Sequence, residues 1–129
     1  MSDDPPLMES AASCGFPSPA EQYARCSLDL NTFLVKNPEA TFFVRAEGNS
    51  MINAGIRSGD ILTVDRSITP DAGNIVVACV DNEFTVKYLR RDERGVFLEA
   101  ANTDYPPIIL SEGMELRIFG VVTSCIHRF

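Results

Sequence analysis

Two residues in this chain can be joined into one piece of chemistry. Ser50 stands in EGNSM, residues 47–51, and Lys87 in EFTVKYLRR, residues 83–91. A glycine, a small polar residue and a serine leaving a strand for a short turn, SMINAGI, can expose a hydroxyl. The same turn can aim neighbouring backbone N–H groups at one point, as a nucleophile and its oxyanion hole require. Those five residues equally suit a serine N-cap behind a glycine turn. Lys87 falls among apolar residues in mid-strand, where a lysine commonly snorkels its ammonium to water. A buried lysine behaves differently, because desolvation disfavours its charged form and lets it act as a base near neutrality. Lowering its pKa that far removes roughly 4 kcal/mol of ammonium stabilisation, a cost that a folded core can carry. A serine hydroxyl beside such an amine is a Ser-Lys dyad, which needs no histidine. The one histidine, His127, stands third from the C-terminus, where a frayed end would make a poor base.

Other candidates lead less far. Lys87, Arg90, Arg91 and Arg94 could form an anion-binding patch, but Asp92 and Glu93 interrupt it, and a solvated strand end explains them better. The four cysteines, Cys14, Cys26, Cys79 and Cys125, include no CxxC. Cys26, Cys79 and Cys125 are expected to pack as small apolar residues. No carboxylate pairing suits acid–base work and no metal-ligand spacing is visible, so neither cofactor nor metal is expected.

The elements that must position Ser50 and Lys87 read as β. TFFVRA, DILTVD, NIVVACVD, EFTVKYL, GVFLEAA, PIIL and LRIFGVVTSCI are short runs rich in Val, Ile, Phe and Thr, bounded by Gly, Pro and Asn. NIVVACVD and EFTVKYL, joined through Asp81 and Asn82, read as a hairpin. Strand period puts Thr85, Lys87 and Leu89 on one face and Phe84, Val86 and Tyr88 on the other. The expected fold is mainly β: strongly bent or partly barrel-like antiparallel sheets with one or two short helices and a flexible N-terminal arm. LDLNTFLVKN suits one such helix, with Asp29 or Asn31 as cap and Pro38 beyond its end.

Residues 1–27 read as the arm, and residues 28–129 as the domain. Pro5, Pro6, Pro17 and Pro19 forbid regular pairing in the arm, and AASCGFPSPA, residues 11–20, is built of small residues. A protease can engage only extended backbone, so such an arm is suited to be a substrate.

Composition narrows the function. With 129 residues, 45% apolar and 22% charged, the chain can bury a core without a disulfide or metal. Its net charge of −7 would repel a duplex, so protein partners are expected and direct DNA binding is not. MSDDPPLMES has no apolar run of the kind a signal peptide carries, and no stretch approaches a membrane span. Reduced thiols in the cytoplasm are the expectation.

Together these stretches resemble the UmuD-type SOS mutagenesis proteins, relatives of the LexA repressor's C-terminal self-cleaving peptidase domain. The resemblance is carried by CGFPSPA at 14–20, LDLN at 28–31 and NPEATFFVRAEGNSMINAGIRSGDILTVDRSIT at 37–69. GNIVVACVDNEFTVKYL at 73–89 and FGVV at 119–122 complete it. It implies Ser50 as nucleophile, Lys87 as general base, the backbone N–H groups of Asn49 and Ser50 as oxyanion hole, and Cys14-Gly15 as the cleaved bond. It further implies a homodimer whose autocleavage is stimulated by a RecA filament on single-stranded DNA after damage. The shortened product, Gly15–Phe129, would serve a UmuC-type error-prone translesion polymerase as accessory subunit. No helix-turn-helix pattern precedes the arm, which speaks against a repressor. The alternative from another class is a catalytically silent dimeric polymerase-binding module; a signal-peptidase-like processing enzyme would share the dyad but need a membrane anchor.

Overall fold

The computed structural model describes residues 3–7 and 27–129, which fall into two compact units, Met1–Lys36 and Asn37–Phe129. In the first unit, Pro6 and Ser27 form an isolated antiparallel bridge, and Leu28 N–H donates to the Pro5 carbonyl at 2.7 Å. A short helix, α1 (Leu30–Leu34), follows. Asp29 is its N-cap: the carboxylate accepts from Asn31 N–H at 3.0 Å, Thr32 N–H at 3.4 Å and the Thr32 hydroxyl at 2.7 Å. Those bonds satisfy donors that a helix start leaves orphaned.

The second unit is one antiparallel sheet of seven strands: β1 (Thr41–Arg45), β2 (Ile61–Asp65), β3 (Ile75–Val80), β4 (Glu83–Asp92), β5 (Gly95–Glu99), β6 (Ile108–Ile109) and β7 (Leu116–Ile126). Their order across the sheet is β1-β2-β7-β3-β4-β5-β6, so the sheet stays open, with β1 and β6 at its edges. The expected mainly β fold is the one observed. β3 and β4 form the expected hairpin, with Val80 opposite Glu83. Asp81 and Asn82 make its turn with φ of 47° and 70°, the left-handed pair that a two-residue hairpin demands and that Asp and Asn tolerate.

Adjacent residues of β3 belong to opposite cores. Val77 packs with Ala46, Met51, Ile56, Leu62 and Val64 on one side. Val76 packs with Ala78, Leu89, Leu98 and Val121 on the other. Central strands buried on both faces read as continuous apolar runs, and IVVACV is one. The irregular strand is β7. Its register shifts by one residue against β2 between Thr63 and Val64, and against β3 between Val77 and Ala78. Such bulges bend a strand and increase its twist. Between them sits Gly120, where a Cβ would meet Val64 Cγ1 at 2.7 Å and the Asp65 carbonyl oxygen at 3.0 Å. Only glycine lets β2 approach this closely.

Candidate active site

β1 runs into a loop whose neck is closed by Ala46 N–H donating to the Asp60 carbonyl and Gly59 N–H to the Ala46 carbonyl, both at 2.8 Å. Within it Gly48 turns the chain at φ +83°, and its N–H donates to Ser58 Oγ at 3.1 Å. Ile52 N–H closes a turn on the Asn49 carbonyl at 3.2 Å, and a 3-10 turn runs over Ile52–Ala54. Met51 is the anchor, 3% exposed within the first core. Burying Met51 carries Ser50 to the mouth of a cleft of about 320 Å³, lined among others by Val44, Gly48, Phe84, Val86 and Tyr105.

Lys87 reaches that cleft from β4, where its Cα faces Val76. Its Nζ lies 3.0 Å from Ser50 Oγ, 2.7 Å from Thr85 Oγ1 and 3.2 Å from the Val86 carbonyl oxygen, all as hydrogen bonds. The residue is 8% exposed, and among the described residues no carboxylate pairs with it. Burial therefore holds its pKa below the ordinary lysine value, because nothing offsets the lost hydration of the ammonium. Strand period had placed Thr85 beside Lys87 without giving it a task; here its hydroxyl fixes the amine.

The backbone around Ser50 has a second feature. The N–H groups of Asn49, Ser50 and Met51 meet no protein acceptor among the described residues. Asn49 is exposed, Ser50 half-buried and Met51 buried; donors left without a protein partner beside a cleft are available to an oxygen from elsewhere. Asn49 O, by contrast, accepts twice, from Ile52 N–H and from Asn102 Nδ2 at 2.8 Å. Asn102 went unnoticed in the sequence; its only local signature is an Asx turn, Asp104 N–H donating to Asn102 Oδ1 at 2.9 Å.

The cleft also borders an open strand edge. β3 pairs with β4 over Glu83–Tyr88, whereas β5 pairs with β4 only from Tyr88 to Asp92. Residues 83–87 therefore have no strand on their second side among the described residues. Phe84, 64% exposed, marks that edge.

Several expectations are corrected. His127 is not a loose terminal ring: its Nδ1 lies 2.6 Å from Asp60 Oδ1, a carboxylate 3% exposed. Cys125 does not pack as a small apolar side chain, since it is exposed and its thiol donates to Asp60 Oδ2 at 3.2 Å. Although the residue is exposed as a whole, its sulfur is partly desolvated, and that desolvation with the Asp60 hydrogen bond and charge pushes the thiol up to about 11. Cys79 is buried. The solvated strand end expected at Lys87–Arg94 fits Arg90, which pairs with Glu99 at 3.1 Å and lies over the Tyr88 ring at 4.3 Å. Cys14, Gly15 and Cys26 lie outside the described residues. Among the described residues no acidic, cysteine and histidine cluster could hold a metal, and no helix is long and apolar enough to cross a membrane.

Comparison with known proteins adds a lineage to this geometry. The Peptidase S24-like family matches residues 6–123. The chain is 46% identical to Protein SamA of Salmonella typhimurium (strain LT2) over 123 residues, which span 95% of this chain and 85% of that protein. It is 47% identical to Protein ImpA of Escherichia coli over 123 residues, 95% of this chain and 83% of that protein. The LexA repressor of Desulfatibacillum aliphaticivorans is 35% identical over 125 residues, 95% of this chain and 61% of the repressor.

Proposed function

We propose, from the premise that this chain belongs to the Peptidase S24-like family, that it is a serine endopeptidase which cuts its own N-terminal arm between Cys14 and Gly15. The observation that carries this reading is the 3.0 Å contact between Lys87 Nζ and Ser50 Oγ, made by a buried lysine that has no counter-charge among the described residues. Such an amine gives up its proton more readily than a solvated one, and it already points at the hydroxyl it must activate.

The steps follow from those positions. Neutral Lys87 keeps two N–H bonds, which Thr85 Oγ1 and the Val86 carbonyl can accept, and turns its lone pair to the Ser50 hydroxyl. It takes the hydroxyl proton as Oγ attacks the Cys14 carbonyl carbon. The resulting oxyanion is received by the backbone N–H groups of Asn49 and Ser50. Lys87, now an ammonium, returns its proton to the Gly15 nitrogen as the peptide bond breaks. Water then attacks the ester between Ser50 and Cys14, with Lys87 again as base, and releases the arm. An extended arm suits the unpaired edge of β4 over residues 83–87, where backbone can add as a further strand. Gly15 behind the bond keeps bulk away from the amine.

The biological setting we propose is the DNA-damage (SOS) response. A homodimer in the cytoplasm would be cut when a RecA filament on single-stranded DNA favours the docked arm. Residues 15–129 would then act with a UmuC-type translesion polymerase. A partner need only raise the population in which the arm is seated to raise the rate. Identity to Protein SamA, Protein ImpA and a LexA repressor over nearly the whole chain supports this setting. The test is to mix wild-type chain with RecA, nucleotide and single-stranded DNA and to weigh the fragments, with Ser50→Ala and Lys87→Ala in parallel. Wild type should yield residues 15–129, and both variants should stay whole.

A further inference from the structure

The loop after β5 reaches back to the nucleophile turn through three bonds. Asn102 Nδ2 donates to the Asn49 carbonyl at 2.8 Å. Asn53 N–H donates to the Ala101 carbonyl at 2.8 Å, and Ala101 N–H to Met51 Sδ at 3.3 Å. The orientation of the Asn102 amide is set from its other end, because Asp104 N–H needs an acceptor and takes Oδ1 at 2.9 Å. Nδ2 is thereby left to face Asn49.

A trans peptide points the carbonyl of one residue and the N–H of the next in opposite directions. Whatever holds the Asn49 carbonyl consequently holds the Ser50 N–H. The carbonyl is held twice, by Ile52 N–H at 3.2 Å and by Asn102 at 2.8 Å. The Ser50 N–H is thus turned away from Ile52 and Asn102, with no protein acceptor among the described residues. Upstream lies Gly48 at φ +83°, where no side chain braces the turn and the nearest hold is its own N–H on Ser58 Oγ at 3.1 Å, ahead of the plane that Asn102 holds.

We propose that Asn102 is a positioning residue for the oxyanion: it locks the Asn49–Ser50 peptide plane and so aims the Ser50 N–H at the oxygen of the bond under attack. This rests on the reading of Ser50 as nucleophile. Among the described residues the Asn102 side chain bonds Asn49 and Asp104, not the Ser50 hydroxyl or the Lys87 amine. Its loss should lower the rate of the chemical step and leave the titration of the base where it was. A donor that survives but is poorly aimed is worth less than one in register, and deleting such a donor outright costs about 10²–10³ in rate.

The experiment follows intact Asn102→Ala and wild-type chains across about pH 7 to 10, with fragment mass against time. Asn102→Ala should cleave about 10–100-fold more slowly at every pH, with an unchanged alkaline midpoint and a melting temperature close to wild type. A rate within about twofold of wild type, or a displaced midpoint, would overturn the proposal. Nuclear magnetic resonance of the wild-type chain decides the matter separately from turnover and from the variant's folding. One Asn102 side-chain proton should exchange with solvent far more slowly than those of Asn82 in the hairpin turn, and Asn102→Ser should displace the Ser50 amide resonance. Fast exchange at Asn102 sinks the positioning role. A wild-type chain that gives no Ser50-dependent fragment sinks the reading of Ser50 instead, and leaves the peptide-plane lock to be judged by the amide data.

Discussion

Lys87 Nζ and Ser50 Oγ lie 3.0 Å apart, although one residue belongs to a mid-sheet strand and the other to a loop entered from an edge strand. Two unrelated anchors bring them together. Met51, buried in the first core, fixes the loop, and Thr85 Oγ1 with the Val86 carbonyl fixes the amine. The pair is positioned by packing on one side and by hydrogen bonds on the other.

The pH dependence of cleavage follows from the burial of Lys87. A base must be unprotonated to act, so the rate should rise with pH and level off above the pKa of Lys87. Desolvation lowers that pKa from the ordinary 10.5, so half-maximal cleavage belongs below pH 10.5. Lys87→Ala should lose at least about 10⁴-fold at every pH. Timed mass spectrometry of the purified chain measures both.

Thr85 is a test of how the amine is held. Thr85→Val keeps the shape and removes the oxygen 2.7 Å from Nζ. Cleavage should slow by about 10–100-fold, the order expected for a misplaced reacting group, whereas Thr85→Ser should stay near wild type. Equal rates for the two variants would remove the hydroxyl from the account.

Asp60 predicts an acid transition. Hydrogen bonds from Arg57 N–H and His127 hold its carboxyl down to about 2, against an ordinary 3.8. A carboxylate lowered in the folded state stabilises fully above its unfolded pKa and loses that contribution as pH falls through the folded value. The window therefore runs from about pH 4 to about pH 2. Asp60→Asn should melt lower than wild type at pH 7, and the two melting curves should converge as the pH falls through that window.

Gly120 predicts a steric cost without any chemistry. A Cβ there would stand 2.7 Å from Val64 Cγ1 and 3.0 Å from the Asp65 carbonyl oxygen. Gly120→Ala should destabilise the fold by about 1–3 kcal/mol, read from urea unfolding at constant slope.

What was legible in the sequence was whatever is written in short-range pattern. The seven strands and the hairpin at Asp81-Asn82 show because alternation and turn chemistry are local. The helix start shows for the same reason, with the cap narrowed to Asp29 or Asn31, of which the structure uses Asp29. The two bulges of β7 did not show, since LRIFGVVTSCI reads as one continuous strand and its register is set by two partners. Asn102 and His127 were missed because their partners lie 53 and 67 residues away in the chain. Thr85 was half legible: its face was evident from strand period, its bond to Lys87 was not.

The most direct measurement is the mass of the fragment formed by the purified wild-type chain at alkaline pH, with no other protein present, beside Ser50→Ala. The account predicts a product beginning at Gly15 and ending at Phe129, formed by wild type and absent from the variant. The same fragment appearing at the same rate from Ser50→Ala would contradict it.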